Sequence, residues 1–123
     1  MTFLIADDNA HMRESIKRFL VRNIPNHHTF LEAKDGSEAV TLYKRYSPDW
    51  VVMDIEMEPM DGIAALKLIH ASYSAAKVVM LTSYDDVGYR KAAKEAGAYG
   101  YILKVHLDEL QSIVTGTKHT HGN

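Results

Sequence analysis

The 123-residue sequence contains no cysteine, so it has no disulfide framework, no thiolate metal site and no thiol nucleophile. It also lacks an excess of positive charge: 14 Lys and Arg stand against 16 Asp and Glu, a formal net charge of -2. That balance supplies no field to hold nucleic-acid phosphates or anionic lipid, so this chain is not expected to bind DNA or a membrane by itself. No apolar run is long enough to span a bilayer, and residues 1–6 lead into Asp7 and Asp8 without the basic flank of a secretion signal. Repeats, low-complexity tracts and linkers are absent from residues 1–116. The expectation is one soluble, cytoplasmic domain over residues 1–116. Residues 117–123, with His119 and His121, are polar and aperiodic and read as a disordered tail or the start of a linker.

What is present alternates. Short apolar runs occupy residues 3–6, 29–33, 50–53, 78–81 and 99–103. Runs that are apolar at nearly every position predict strands covered on both faces, the signature of a parallel sheet between helices. Between them the apolar spacing changes to three and four. Met12, Ile16, Phe19 and Leu20 form one stripe, Ala39, Leu42, Tyr43 and Tyr46 a second, and Leu66, Ile69, His70 and Tyr73 a third. A fourth helix over residues 86–96 offers mainly Val87, Ala92, Ala93 and Ala96, so it is expected to pack least firmly. The last places Leu107, Leu110, Ile113 and Val114 before Gly116. Asp35-Gly36-Ser37-Glu38 has the spacing of a capping box, and Gly97 stands where a helix would end in a left-handed turn. This pattern predicts an α/β fold.

In an open parallel sheet, ligands bind beyond the carboxyl ends of the strands, where the winding reverses. That rule selects Asp7 and Asp8 after the first run, Asp54 after the third, Thr82 and Ser83 after the fourth, and Lys104 after the fifth. Any one of these alone is an ordinary turn or cap residue. Three carboxylates together repel one another unless a cation joins them. Oxygen-only ligands with no His or Cys at coordinating spacing favour Mg²⁺ over Zn²⁺. With Lys104 and Mg²⁺ the formal charge of the set is near zero, which suits an incoming phosphoryl group. Asp54 is the candidate nucleophile, since carboxylates form acyl phosphates, and Lys104 and Thr82 are placed to hold the transferred oxygens.

With these residues in place, the chain resembles the receiver domains of bacterial two-component response regulators, from about residue 3 to residue 116. The resemblance rests on Asp7-Asp8, on Asp54 followed by Met57, Met60, Asp61 and Gly62, on Leu81-Thr82-Ser83, and on Lys104. Residues 95–104, Glu-Ala-Gly-Ala-Tyr-Gly-Tyr-Ile-Leu-Lys, lean toward receivers that carry a helix-turn-helix output domain. The resemblance implies a single (βα)5 flavodoxin-like, doubly wound domain, with a five-stranded parallel sheet of order 2-1-3-4-5 and helices on both faces. It implies that a sensor histidine kinase donates a phosphoryl group to Asp54 in a reaction the receiver itself catalyses. By the same resemblance Asp8 ligates Mg²⁺ directly and Asp7 through water, with Asp54 and the backbone carbonyl of Glu56 completing the protein ligands. Thr82 and Tyr101 are the implied switch pair, moving the face built from the fourth helix, fifth strand and fifth helix. Glu56 and Tyr84 occupy the positions that tune the lifetime of the acyl phosphate. A homodimer on phosphorylation and DNA contact through a separate output domain also follow from the family.

Three positions depart from its usual pattern. Val105 stands where proline commonly follows the strand-end lysine, so a cis bond there is not expected. Glu58-Pro59 shifts a loop proline by one place, and His106 replaces a hydroxyl cap at the start of the last helix. Two other readings of the fold lack key groups. A flavin carrier needs a loop of backbone donors where Asp7-Asp8 stand, and a dehalogenase-like phosphatase needs a second aspartate where Glu56 stands. The remaining alternative, motivated by Val105 and Glu58-Pro59, is a receiver-like interaction module that works without phosphorylation.

Overall fold

The structure, a computed structural model, describes residues 1–116; the expected tail, residues 117–123, lies outside them. In chain order the elements are β1 (Thr2–Ala6), α1 (Ala10–Asn23), β2 (Thr29–Ala33), α2 (Gly36–Tyr46), β3 (Trp50–Met53) and α3 (Gly62–Ser72). They continue with β4 (Val78–Thr82), α4 (Val87–Glu95), β5 (Gly100–Leu103), a 3-10 turn (Lys104–His106) and α5 (Glu109–Thr115). The strands form one parallel sheet in the order β2-β1-β3-β4-β5, the order the resemblance implies.

Strand side chains alternate between faces, and the core divides accordingly. Leu4, Ala6, Val51, Met53, Val78 and Met80 meet Ala39 and Tyr43 of α2, Ala65, Leu66 and Ile69 of α3, and Ala93 of α4. Phe3, Ile5, Trp50, Val52, Val79, Leu81 and Ile102 meet Ile16 and Leu20 of α1 and Leu110 and Val114 of α5. Both faces of β3 and β4 are therefore covered, which is why those strands read as unbroken apolar runs.

Helix starts follow local chemistry. Asn9, Asp35, Asp61 and Asp86 are N-caps whose side chains accept from Met12, Glu38, Ala64 and Tyr89 N–H groups at 2.8–3.1 Å. The expected capping box at Asp35 forms in a shifted version: Glu38 Oε1 accepts from the Lys34 N–H, one residue before the cap. Gly97, at φ +99°, leads the chain out of α4 in the left-handed region, as its position suggested.

Some expectations fail at the edges of elements. Tyr46 and Val87, assigned to apolar stripes, are 50% and 83% exposed, because each lies at a helix end beyond the reach of the sheet. Tyr99 precedes β5 and is exposed, and Thr82 is the last residue of β4, fully buried, not a loop residue after it. His106 does not begin the last helix. It ends the 3-10 turn, and α5 starts at Glu109 without a side-chain cap. The cis peptide among the described residues joins Glu58 to Pro59, and Lys104–Val105 is trans.

Candidate active site

β1 pairs with β2 on one side and β3 on the other, so its carboxyl end is the point where the winding reverses. The Asp7 N–H continues toward β2, donating to Ala33 O at 3.0 Å, while the Asp54 N–H donates back to Ala6 O at 2.9 Å. These two backbone bonds set the carboxylates side by side. Carboxylate oxygens of Asp7, Asp8 and Asp54 lie within 4.8 Å of one another, with Asp7 and Asp54 buried and Asp8 exposed.

Lys104 enters from the end of β5. Its Nζ lies 2.9 Å from Asp7 Oδ2 and 3.3 Å from Asp54 Oδ2, so one ammonium bridges two carboxylates across the sheet. Loss of the cis bond that commonly aims this lysine has not moved it out of reach. Burial pushes the Asp54 carboxyl above its usual value and the charge of Asp7 adds to that, while Lys104 opposes both. Burial alone would lower the Lys104 pKa, but the bond to Asp7 and the charges of Asp54 and Asp7 together hold it above the usual value. Both partners are raised because at Asp54 burial outweighs the pull of the ammonium, whereas at Lys104 the two carboxylates together outweigh burial.

Further bonds fix the loops. Asp7 Oδ1 accepts from the Asn9 N–H at 2.9 Å, and Arg13 Nη1 donates to the Asp7 carbonyl at 2.7 Å while its Nε pairs with Glu32. Asp54 Oδ1 accepts from the Ile55 N–H at 2.8 Å. The Gly62 N–H donates to Ile55 O at 2.8 Å, and a Cβ on Gly62 would fall 2.0 Å from Asp54 O, so only glycine lets α3 start this close to the loop.

Thr82 points its Oγ1 toward the following loop, where it accepts from the Tyr84 N–H at 3.3 Å. The Tyr101 hydroxyl donates to the Tyr84 carbonyl at 2.6 Å, and the Arg90 guanidinium stacks 4.5 Å from the Tyr101 ring centroid while pairing with Asp85 at 2.8 Å. Burial raises the Tyr101 phenol. Glu56 faces an open cleft of about 960 Å³, lined among others by Asp8, Met57, Asp61, Tyr89 and Ala92. The Tyr89 hydroxyl donates to Glu56 Oε2 at 3.3 Å, and the negative charge of Glu56 holds the Tyr84 and Tyr89 phenols above their usual values.

The residues singled out from the strand ends and from the family resemblance thus divide into two groups. Asp7, Asp8, Asp54 and Lys104 converge directly, while the polar groups of Thr82, Tyr84, Tyr101 and Glu56 bond to the surrounding loops and α4. Sequence reasoning missed Asn9, Arg13, Tyr89 and Arg90. A polar residue directly after the acidic pair, and a basic residue one helical turn later, were the available signals for the first two; the α4 residues gave none.

A family model for the response regulator receiver domain matches residues 3–115. The chain is 43% identical over 101 residues to the chemotaxis protein CheY of Bacillus subtilis, covering 82% of each. It is 42% identical over 101 residues to the transcriptional regulatory protein LiaR of the same organism, covering 82% of this chain but 47% of LiaR. It therefore spans most of one relative and about half of another. Among solved structures it resembles that of a CheX-CheY-BeF3-Mg+2 complex from Borrelia burgdorferi, with a TM-score of 0.85, 28% identity, and coverage of 94% of this chain and 87% of that one. With the sheet order, the strand-end carboxylates and the bridging lysine already in view, these likenesses place the chain in the response regulator receiver domain family.

Proposed function

We propose that residues 1–116 are a phosphorylation-activated signalling switch, in which Asp54 accepts a phosphoryl group from the phosphohistidine of a sensor histidine kinase. In that transfer a phosphorus–nitrogen bond breaks, its electron pair stays on the imidazole, and a bond forms from phosphorus to an Asp54 oxygen. The observation that carries the reading is the Lys104 bridge to Asp7 and Asp54 within a three-carboxylate cluster. Three carboxylates and one ammonium leave two negative charges, the complement of one hard divalent ion, and the all-oxygen donor set suits Mg²⁺. Asp7, Asp8, Asp54 and the Glu56 backbone carbonyl would hold it, and when bound it supplies charge neutralisation for the phosphoryl oxygens.

The chain's own groups do the rest. Burial of Asp54 keeps its oxygen poorly hydrated and therefore available for attack, and Lys104 offers N–H donors to the arriving oxygens. Thr82 Oγ1 holds only a long bond to the Tyr84 N–H, which it exchanges for a phosphoryl oxygen at low cost. Its turn would draw Tyr101 inward and shift α4, β5 and α5, the proposed output face. The names of relatives such as LiaR support an output in transcription, through an attached or partner DNA-binding domain, with homodimerisation on phosphorylation and a cytoplasmic setting. Among the described residues no helix is long and apolar enough to cross a membrane.

The test is intact-protein mass after incubation with Mg²⁺ and a small phosphodonor. A single metal-dependent adduct, lost in Asp54→Ala, is the expected result. No adduct on a folded protein, with rapid hydrolysis excluded by a stable phosphoryl analogue, moves the reading to the phosphorylation-independent module.

A further inference from the structure

Two residues after Asp54, the Glu56 side chain extends from the β3–α3 loop into the cleft that borders the acid cluster. No ion pair holds it among the described residues. Its partner comes from the other side of the cleft: the Tyr89 hydroxyl in the first turn of α4 donates to Glu56 Oε2 at 3.3 Å. Tyr84 stands against the same pair, its ring edge-on to Tyr89 with centroids 6.4 Å apart and an interplanar angle of 72°. A carboxylate and two phenols thus link the loop after Asp54 to α4. Helix α4 itself is lightly anchored, since Ala93 is the only buried residue within it.

We propose that Tyr89 is a positioning residue that holds the Glu56 carboxylate beside the Asp54 pocket, slows hydrolysis of the Asp54 acyl phosphate, and so ties its lifetime to the placement of α4. This rests on the phosphoryl acceptance by Asp54 proposed above. Hydrolysis forms a bond from a water oxygen to phosphorus as the phosphorus bond to the Asp54 oxygen breaks. The electron pair remains on the Asp54 carboxylate, and both water hydrogens leave on dihydrogen phosphate. The attacking water must come in line, opposite the buried Asp54 oxygen and therefore from the solvent side, between the segments that carry Glu56 and Tyr84. Bridged to Tyr89, the Glu56 carboxylate obstructs that approach, with Oε2 engaged as an acceptor. Released, it uncovers the approach and becomes free to accept a proton from the water. Both consequences of losing the bridge act in the same direction.

The experiment uses the full chain, phosphorylated with acetyl phosphate and Mg²⁺. The donor is then removed and the adduct mass followed with time for the parent, Y89F, E56A and the double variant. Y89F keeps the ring against Tyr84 and deletes only the hydroxyl. Its adduct is expected to decay about twofold faster than that of the parent, the kinetic equivalent of a hydrogen bond at the weak end of the usual range, in keeping with the 3.3 Å length. The double variant is expected to decay at the E56A rate, because Tyr89 acts through Glu56. The ratio of hydrolysis to phosphoryl capture is the quantity compared, since general loosening of the pocket lowers capture as well. Decay of Y89F at the parent rate, or the same acceleration by Y89F with Glu56 already removed, overturns the proposal. A parent chain that takes no adduct on Asp54 overturns the underlying reading, and is told apart by a parent mass equal to that of unreacted protein.

Discussion

Asp54 is under two opposed demands: it ends a strand buried on both faces, and it carries charge next to Asp7. Its pKa is raised in the folded chain, so the proton is held more tightly there than in the unfolded chain. Below the ordinary value of 3.8 the group is neutral in both states and costs nothing. As pH rises through the folded value, ionisation destabilises the native state. Asp54→Asn should therefore be more stable than the parent at pH 7, by about 1 kcal/mol in urea denaturation, with the gap closing as the pH approaches 4. A variant less stable at pH 7 would show that Lys104 outweighs burial. The principal residues of the site were legible because strand ends are legible: a carboxylate at the end of an apolar run has few places to go. Arg13 was not, because its reach to the Asp7 carbonyl depends on how α1 turns relative to the loop before it.

At the scale of elements, α4 differs from its neighbours. The Ala-rich stripe at residues 92, 93 and 96 made its weak anchorage visible in the sequence, whereas its two most connected side chains, Tyr89 and Arg90, looked like ordinary surface. Which loop a helix end meets is decided by tertiary placement, and periodicity carries no information about it. Arg90 stacks on Tyr101 and pairs with Asp85, fastening the Tyr101 ring to the helix beside it. Replacing Arg90 with alanine should speed amide exchange in α4 by about twofold to fivefold, the range for an exposed cation–π pair, and shift the Tyr101 ring resonances. Hydrogen exchange and NMR on the unphosphorylated protein check this, and unchanged α4 protection would mean that the stack restrains nothing. The start of α5 was misplaced because a 3-10 turn at Lys104–His106 comes first, and Asp108, although of a type that caps helices, makes no capping bond.

For the whole molecule, the five strands and their burial were readable as apolar runs, while the assignment of helices to faces was not, since it follows from strand order. That order puts β3 at the centre with β1 beside it and gathers the carboxylates at the carboxyl ends of the two strands. A ligand that binds only the folded state stabilises it by mass action. Mg²⁺ at a hundred times its dissociation constant should raise stability by about 2.7 kcal/mol, seen as a higher melting temperature that a chelator reverses. Asp8→Ala should abolish the increase. A melting temperature indifferent to Mg²⁺ would count against the metal assignment.

The Lys104 bridge joins the end of the first strand to the end of the last. During synthesis the chain leaves the ribosome in sequence order, so Asp7 and Asp54 emerge long before the ammonium that draws them together. Without that ammonium, bringing the carboxylates side by side is opposed by their mutual repulsion. The docking of β5 against β4 therefore completes the sheet and brings the counter-charge that offsets part of the carboxylate cluster in the same step.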